Sequence, residues 1–172
     1  MWLVQWLKSR SEDNEFGIPI KNFAKVDDTI YRGALPDVPG YRALVEKLAV
    51  VRVCSMIEHE RRADKERALS SGIEEWRSLP FSDRDAPEAA KVHEWLALIR
   101  SSKTRGPVFA HCRGGRHRTG VLFGVYRVTD CGWTKEQAYN EMKLYGWYSA
   151  LGHAPLLEWF FHVFDPKDYK RQ

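Results

Sequence analysis

The chain has 172 residues, 44% of them hydrophobic and 29% charged, with a formal net charge of +4 and a pI of about 9.0. That length suits one domain with a real core, and the balance is that of an ordinary globular protein. No apolar run approaches the roughly 20 residues of a membrane span, no nucleic-acid module interrupts the scattered lysines and arginines, and three cysteines, Cys54, Cys112 and Cys131, fit no zinc spacing, so reduced, mostly buried thiols in a cytoplasmic protein are expected.

The opening "MWLVQWLK" is apolar, but its lysine follows after seven residues and no basic segment precedes it. It is a poor signal peptide. Trp2 and Trp6, like Leu3 and Leu7, sit four apart as on one helical face, and packing against the domain is their expected use. Residues 9–17 are polar and read as a linker, which makes 1–21 an extension, 22–166 the domain and 167–172 a tail. "TIYRG" at 29–33 reads as a first strand, and 36–50 as a helix carrying Tyr41, Leu44, Val45 and Leu48 at helical spacing. The β-branched run 50–57 reads as a buried strand, 58–71 as a charged surface helix ended by Gly72, and 73–81 as another strand. After the polar loop "SDRDAP", Pro87 is expected to open a helix with Val92, Trp95, Leu96 and Ile99 as its apolar stripe. The strand "PVFAH" at 107–111 leads to a glycine loop and a helix from Thr119 to Gly132. Thr134 and Gln137 form a capping box for a helix at 135–145, and a last helix covers about 154–164. Strands alternating with helices predict an α/β domain, with a central, mostly parallel sheet of four or five strands flanked by helices. In such sheets ligands sit beyond the carboxyl ends of the strands, where the loop after 107–111 lies.

That loop reads "VFAHCRGGRHRTG" from Val108 to Gly120. Gly114 and Gly115 can take positive φ, so successive N–H groups can turn inward as an anion nest. A helix starting near Arg118 adds its positive end to the same point. Arg118 supplies a planar fork for two oxygens of a tetrahedral oxyanion. The groups that attract phosphate also stabilise a thiolate at Cys112, which then becomes a nucleophile aimed at phosphorus. Thr119 can offer its hydroxyl to the sulfur. His111 either hydrogen-bonds the loop or is a core histidine. A glycine-rich turn over a buried thiol is the plainer alternative; the histidine, the cysteine, the glycines and Arg-Thr-Gly in strand-then-helix context argue against it.

"HCRGGRHRTG" resembles the H-C-x5-R-S/T-G signature of the cysteine-dependent phosphatases: tyrosine, dual-specificity and related lipid or inositol phosphate enzymes. "NFAKVDDTIYRGALPD" and "LPFSDRDAP" extend the resemblance over roughly residues 22–164, toward the compact atypical dual-specificity class. It implies the phosphatase fold for the domain, a phosphocysteine intermediate, and neither metal nor other cofactor. It also implies Cys112 as nucleophile, Arg118 as phosphate clamp, Thr119 as hydroxyl partner and the 113–117 backbone as cradle.

A proton donor must sit on a loop near the nest, and "SDRDAP" offers Asp83 and Asp85. Asp85, two residues before Pro87, suits a helix N-cap. Asp83 stands where related enzymes carry the acid and is preferred, with Asp85 the alternative. Asp64 and Glu58 are assigned to the charged surface helix. Arg113, Arg116 and His117 join Arg118 in an unusually basic loop. Those cations suit several phosphates, unless Arg113 and Arg116 point outward. Phosphotyrosine or phosphoserine-threonine protein is the expected substrate. An inositol polyphosphate, pyrophosphate or phosphoinositide is the rival, and a non-catalytic phosphate-binding module the lesser one. Sulfur transfer does not need Arg-Thr-Gly, and arsenate reduction uses partner thiols that Cys54 and Cys131 do not provide by spacing. The expected partner is thus a phosphorylated protein or anionic small molecule, met by a monomer. Trp147, Tyr148 and His153 in 146–155 either border the cleft or, the preferred reading, pack between helices.

Overall fold

The computed structural model describes residues 14–170. The chain enters through a turn at Asn14–Gly17, tied to the domain where Lys47 Nζ donates to the Gly17 carbonyl at 2.7 Å. In chain order follow β1 (Ala24–Asp27), β2 (Ile30–Ala34), α1 (Val38–Leu48), β3 (Arg52–Ser55), α2 (Arg61–Ser70), β4 (Glu75–Ser78) and α3 (Ala89–Arg100). A short α4 (Ser102–Arg105), β5 (Val108–Cys112), α5 (His117–Asp130), α6 (Lys135–Leu144) and α7 (Ala154–Glu158) complete the main elements. The last helix runs on as a π-helical turn, Trp159–Val163, and a 3-10 turn closes the described chain at Pro166–Tyr169.

The sheet order is β1-β2-β5-β3-β4, with β1 antiparallel to β2 and every other pairing parallel. β5 is central and fully buried, so it reads as a continuous apolar run with two faces. Val108, Ala110 and Cys112 face a core built with Trp95, Phe123 and Phe160. Phe109 faces a second core with Tyr41, Leu44, Ile18 and Ile20. Alternation along one strand therefore sets Cys112 and His111 on opposite faces. Because β5 ends at Cys112 and α5 begins at His117, the intervening loop lies at the carboxyl edge of the sheet.

The α/β architecture and the five-stranded, mostly parallel sheet are as expected, with several local corrections. The strand at 29–33 is the second. Before it runs the edge strand β1, only partly buried and rich in charge, which therefore shows no apolar run. α3 starts at Ala89, with Glu88 in extended backbone at the N-cap position, so Asp85 caps nothing there. α2 is not wholly a surface helix, since Asp64 and Ala68 are buried. α5 starts at His117 rather than Thr119. The capping box of Thr134 and Gln137 is formed on both sides. Ile18 and Ile20 are buried in the core, and Tyr169 is buried with its carbonyl accepting from Arg100 Nη2 at 2.7 Å. The helical-face reading of Trp2 and Trp6 lies outside the described residues. Cys54 and Cys112 are buried, as expected of most thiols here, while Cys131 is exposed. Among the described residues no helix is long and apolar enough to cross a membrane.

Candidate active site

Three carbonyls of the loop after β5 are pulled outward. Leu35 N–H donates to the Arg113 carbonyl at 3.1 Å, Asn22 Nδ2 to that of Gly114 at 2.7 Å and Arg32 Nη2 to that of Gly115 at 3.1 Å. Turning the carbonyls out leaves the N–H groups to face the other way, toward the thiol. Gly115 has φ +65°, and a Cβ there would lie 2.6 Å from the Gly33 carbonyl carbon. No other residue fits that position. Arg32 is buried beneath the loop, with its guanidinium 4.0 Å from the Tyr145 ring centroid and 5.3 Å from that of Phe123. Two flat ring faces thus receive a cation that water cannot reach. Asn22 and Arg32 went unread in the sequence. A lone arginine inside the apolar "TIYRG" was the one available signal.

Cys112 is 3% exposed. Burial opposes ionisation of its thiol. The Arg118 charge, the Thr119 hydroxyl and the backbone N–H groups of Thr119 and Arg116 outweigh that, and hold the group below the ordinary thiol range. Arg118 is itself anchored, its Nη1 donating to the carbonyls of Met56 at 3.0 Å and Phe81 at 3.3 Å. Its Nε is buried and has no partner among the described residues, so that edge of the fork is left for an oxyanion.

His111 is fully buried against Phe109 and Tyr41 and also reaches the end of the cysteine strand. Its Nδ1 lies 3.4 Å from the Cys112 carbonyl. On its other side Nε2 meets Asp64 Oδ2 at 3.2 Å and the Tyr41 hydroxyl at 3.1 Å. Asp64 also accepts from the Tyr41 hydroxyl at 2.5 Å and from Trp76 Nε1 at 3.0 Å. Burial of Asp64 favours its neutral form, but the hydrogen bonds and charge of His111 and the Tyr41 hydroxyl hold the carboxyl well below the usual range. The assignment of Asp64 to a solvated helix face is thereby corrected: it is fully buried behind the cysteine. Charged neighbours in "EHERRADKER" concealed it.

A cavity of about 220 Å³ brings Cys112, Arg118, Asp83, His117, Tyr148 and His153 together. Asp85 instead lines the adjoining cleft with Glu58 and Lys91. Glu58 lies with one carboxylate oxygen 3.9 Å from Arg118 Nη1. Arg113 and Arg116 also line the Cys112 cavity, and Arg113 pairs with Glu60 at 3.1 Å, both of those side chains being more than half exposed. His117 is no additional cation: burial and the neighbouring His153 push its imidazole down to about 4. Its Nε2 donates to the Tyr148 carbonyl at 3.1 Å, and its ring stacks on His153 at 3.6 Å and 11°. His153 Nδ1 in turn donates to the Asp83 carbonyl at 2.8 Å. Tyr148 and His153 thus border the cleft, while Trp147 is buried in the core. Asp83, His117 and His153 each bring one ligand-type atom within 4.8 Å of the others. The two rings are parallel, however, so their in-plane lone pairs run side by side rather than converge on one ion.

A mostly parallel sheet with a C-x5-R-T-G loop leaving its central strand, and a charge-stabilised thiol beside an anchored arginine, define the fold and site of the cysteine-dependent phosphatases of the compact dual-specificity class. The chain belongs to the tyrosine phosphatase family, whose sequence profile matches residues 17–170. It is 34% identical over 125 residues to the dual specificity protein phosphatase TpbA of Pseudomonas aeruginosa, covering 73% of this chain and 55% of that protein. Inositol diphosphatase SIW14 of Saccharomyces cerevisiae is 26% identical over 165 residues, 92% of this chain and 56% of that protein. The chain therefore spans little more than half the length of these relatives. The crystal structure of TpbA in complex with pTyr superposes with a TM-score of 0.73 at 26% identity, covering 94% of each chain. The SIW14 catalytic domain, at 22% identity and a TM-score of 0.72 over 88% of this chain and 90% of that one, shares the fold.

Proposed function

We propose that this chain is a phosphomonoesterase that works through a phosphocysteine intermediate. The observation that carries the reading is the buried Cys112 thiol, held below its ordinary range by Arg118 and Thr119 in the same cavity as Asp83. Cys112 Sγ attacks phosphorus in line and the bond to the leaving oxygen breaks. Arg118 and the 113–117 backbone hold the remaining phosphoryl oxygens. Asp83 gives its proton to the leaving oxygen. A water then attacks phosphorus, Asp83 takes the proton of that water, and the sulfur departs as thiolate with the Thr119 hydroxyl hydrogen-bonded to it. Cys112 is the nucleophile, Arg118 the clamp and Asp83 the acid and base. His111 orients the loop through Asp64 and Tyr41. The cycle consumes water and needs no cofactor.

Phosphoprotein is the first substrate reading, and the TpbA complex with pTyr supports it. The loop also has one cation fewer than its composition suggests, because the His117 ring is neutral at pH 7. The second reading is an inositol polyphosphate. Relatives named inositol diphosphatases, SIW14 among them, favour it. Phosphate release from matched phosphotyrosine peptides, phosphoinositides and inositol polyphosphates tests the choice. A higher kcat/KM on the peptides is expected, and the reverse order overturns the first reading. Cys112→Ser is expected to lose activity on every member of the panel.

A further inference from the structure

We infer that His153 is a positioning residue for the acid: seated on His117 and bonded to the Asp83 carbonyl, it holds the Asp83 loop over Cys112. The inference rests on Asp83 being the acid.

The 83–85 segment is a bend with no regular structure of its own, so its place depends on what it docks against. The dock is the chain between α6 and α7. His153 Nδ1–H donates to the Asp83 carbonyl, and its Nδ1 is 3.9 Å from Asp83 Oδ2. Next door Arg84 lies along Gly152, where a Cβ would come within 3.3 Å of the arginine Cδ. That docking chain is itself fixed to the catalytic loop. His117, the residue before Arg118, stacks on His153 and donates to the Tyr148 carbonyl. A continuous run of contacts, Asp83 to His153 to His117, thus joins the acid loop to the first turn of α5. His153 is 6% exposed, which keeps the bond to Asp83 out of competition with water.

The test uses two aryl phosphates on the full chain. Phenyl phosphate has a poor leaving group and needs the acid. p-Nitrophenyl phosphate has a good one and needs it far less. His153→Phe keeps a ring on His117 and removes the donor. His153→Asn restores an N–H near the position of Nδ1. The loss of kcat/KM, which reports the cleavage step alone, should in His153→Phe be about 10-fold or more larger on phenyl phosphate than on p-nitrophenyl phosphate, a fraction of the roughly 10²–10⁴ that a general acid contributes. His153→Asn should recover most of that difference. In an Asp83→Asn background His153→Phe should add nothing, because there is no acid left to place. Equal losses on both substrates, or a further selective loss in the Asp83→Asn background, overturn the role. If Asp83→Asn leaves phenyl phosphate hydrolysis at the wild-type rate, the acid assignment fails and this role falls with it. If Asp83→Asn shows the selective loss and His153→Phe does not, only the positioning role falls.

Discussion

Cys112 is a buried thiol, and burial alone makes ionisation difficult. Arg118, Thr119 and two backbone donors reverse that preference, so the reactivity of the sulfur is a property of its neighbours. Arg118→Ala removes the guanidinium charge and leaves the thiol buried. Alkylation of Cys112 by iodoacetamide, followed against pH, should therefore show a thiol pKa that rises in Arg118→Ala. An unchanged profile contradicts the electrostatic account. Asp83 and Asp85 separate by which cavity they line. Asp83→Ala should lower kcat on a poor leaving group by about 10²–10⁴-fold, the usual contribution of a general acid, and Asp85→Ala by far less. A larger loss in Asp85→Ala at equal thermal stability contradicts the assignment. That Arg118 and Thr119 come together around the Cys112 thiol was legible in the sequence because the three lie within one short motif. Asp64 was not, because its role arises from contact with His111, 47 positions along the chain, and its flanking charges disguise it. His117 counted as a cation in the sequence, and burial, with His153 beside it, keeps it neutral at pH 7.

At the scale of elements, the loop after β5 is shaped from below as much as by its own glycines. β2 supplies Arg32 and the Gly33 backbone against Gly115, and the turn before β1 supplies Asn22. Gly115→Ala puts a Cβ into the Gly33 carbonyl and forces a left-handed backbone that alone costs about 1–2 kcal/mol. Urea unfolding should show a loss at least that large, together with loss of phosphatase activity; wild-type stability in Gly115→Ala contradicts the geometry. The central strands and the capping box of α6 were readable because they follow hydrophobic period and cap chemistry. β1 was not, because an edge strand buries too little to leave an apolar pattern. The start of α3 was displaced because Pro87 falls before the extended Glu88 rather than inside the first turn.

The whole molecule joins two cores across one sheet, with ionisable groups buried on both sides of the cysteine strand. These set its response to acid. The imidazole of His117 is held down at about 4, against an ordinary value near 6.5, by burial and by His153. The unfolded chain therefore binds more protons between those values, and stability falls as pH drops from about 6.5 to 4, by no more than about 3 kcal/mol. The Asp64 carboxyl is also held down, so its contribution is present above its unfolded value near 4 and is lost below that. Melting temperature should thus fall in two acid stages. His117→Phe should remove the first stage and leave the second, and a wild-type profile in that variant contradicts the linkage. The α/β class was visible at this scale because alternating strands and helices permit few topologies. The burial of Tyr169 was not visible, because it sits in a polar stretch and is held in the core by tertiary contact.

The central claim is that phosphate passes through the sulfur of Cys112. Acid-quenching the full chain during turnover of p-nitrophenyl phosphate, followed by mass analysis of its peptides, tests this directly. The account predicts one phosphoryl group on the peptide bearing Cys112, absent in Cys112→Ser, which also releases no phosphate. A phosphoryl group on another residue, or wild-type phosphate release from Cys112→Ser, contradicts it.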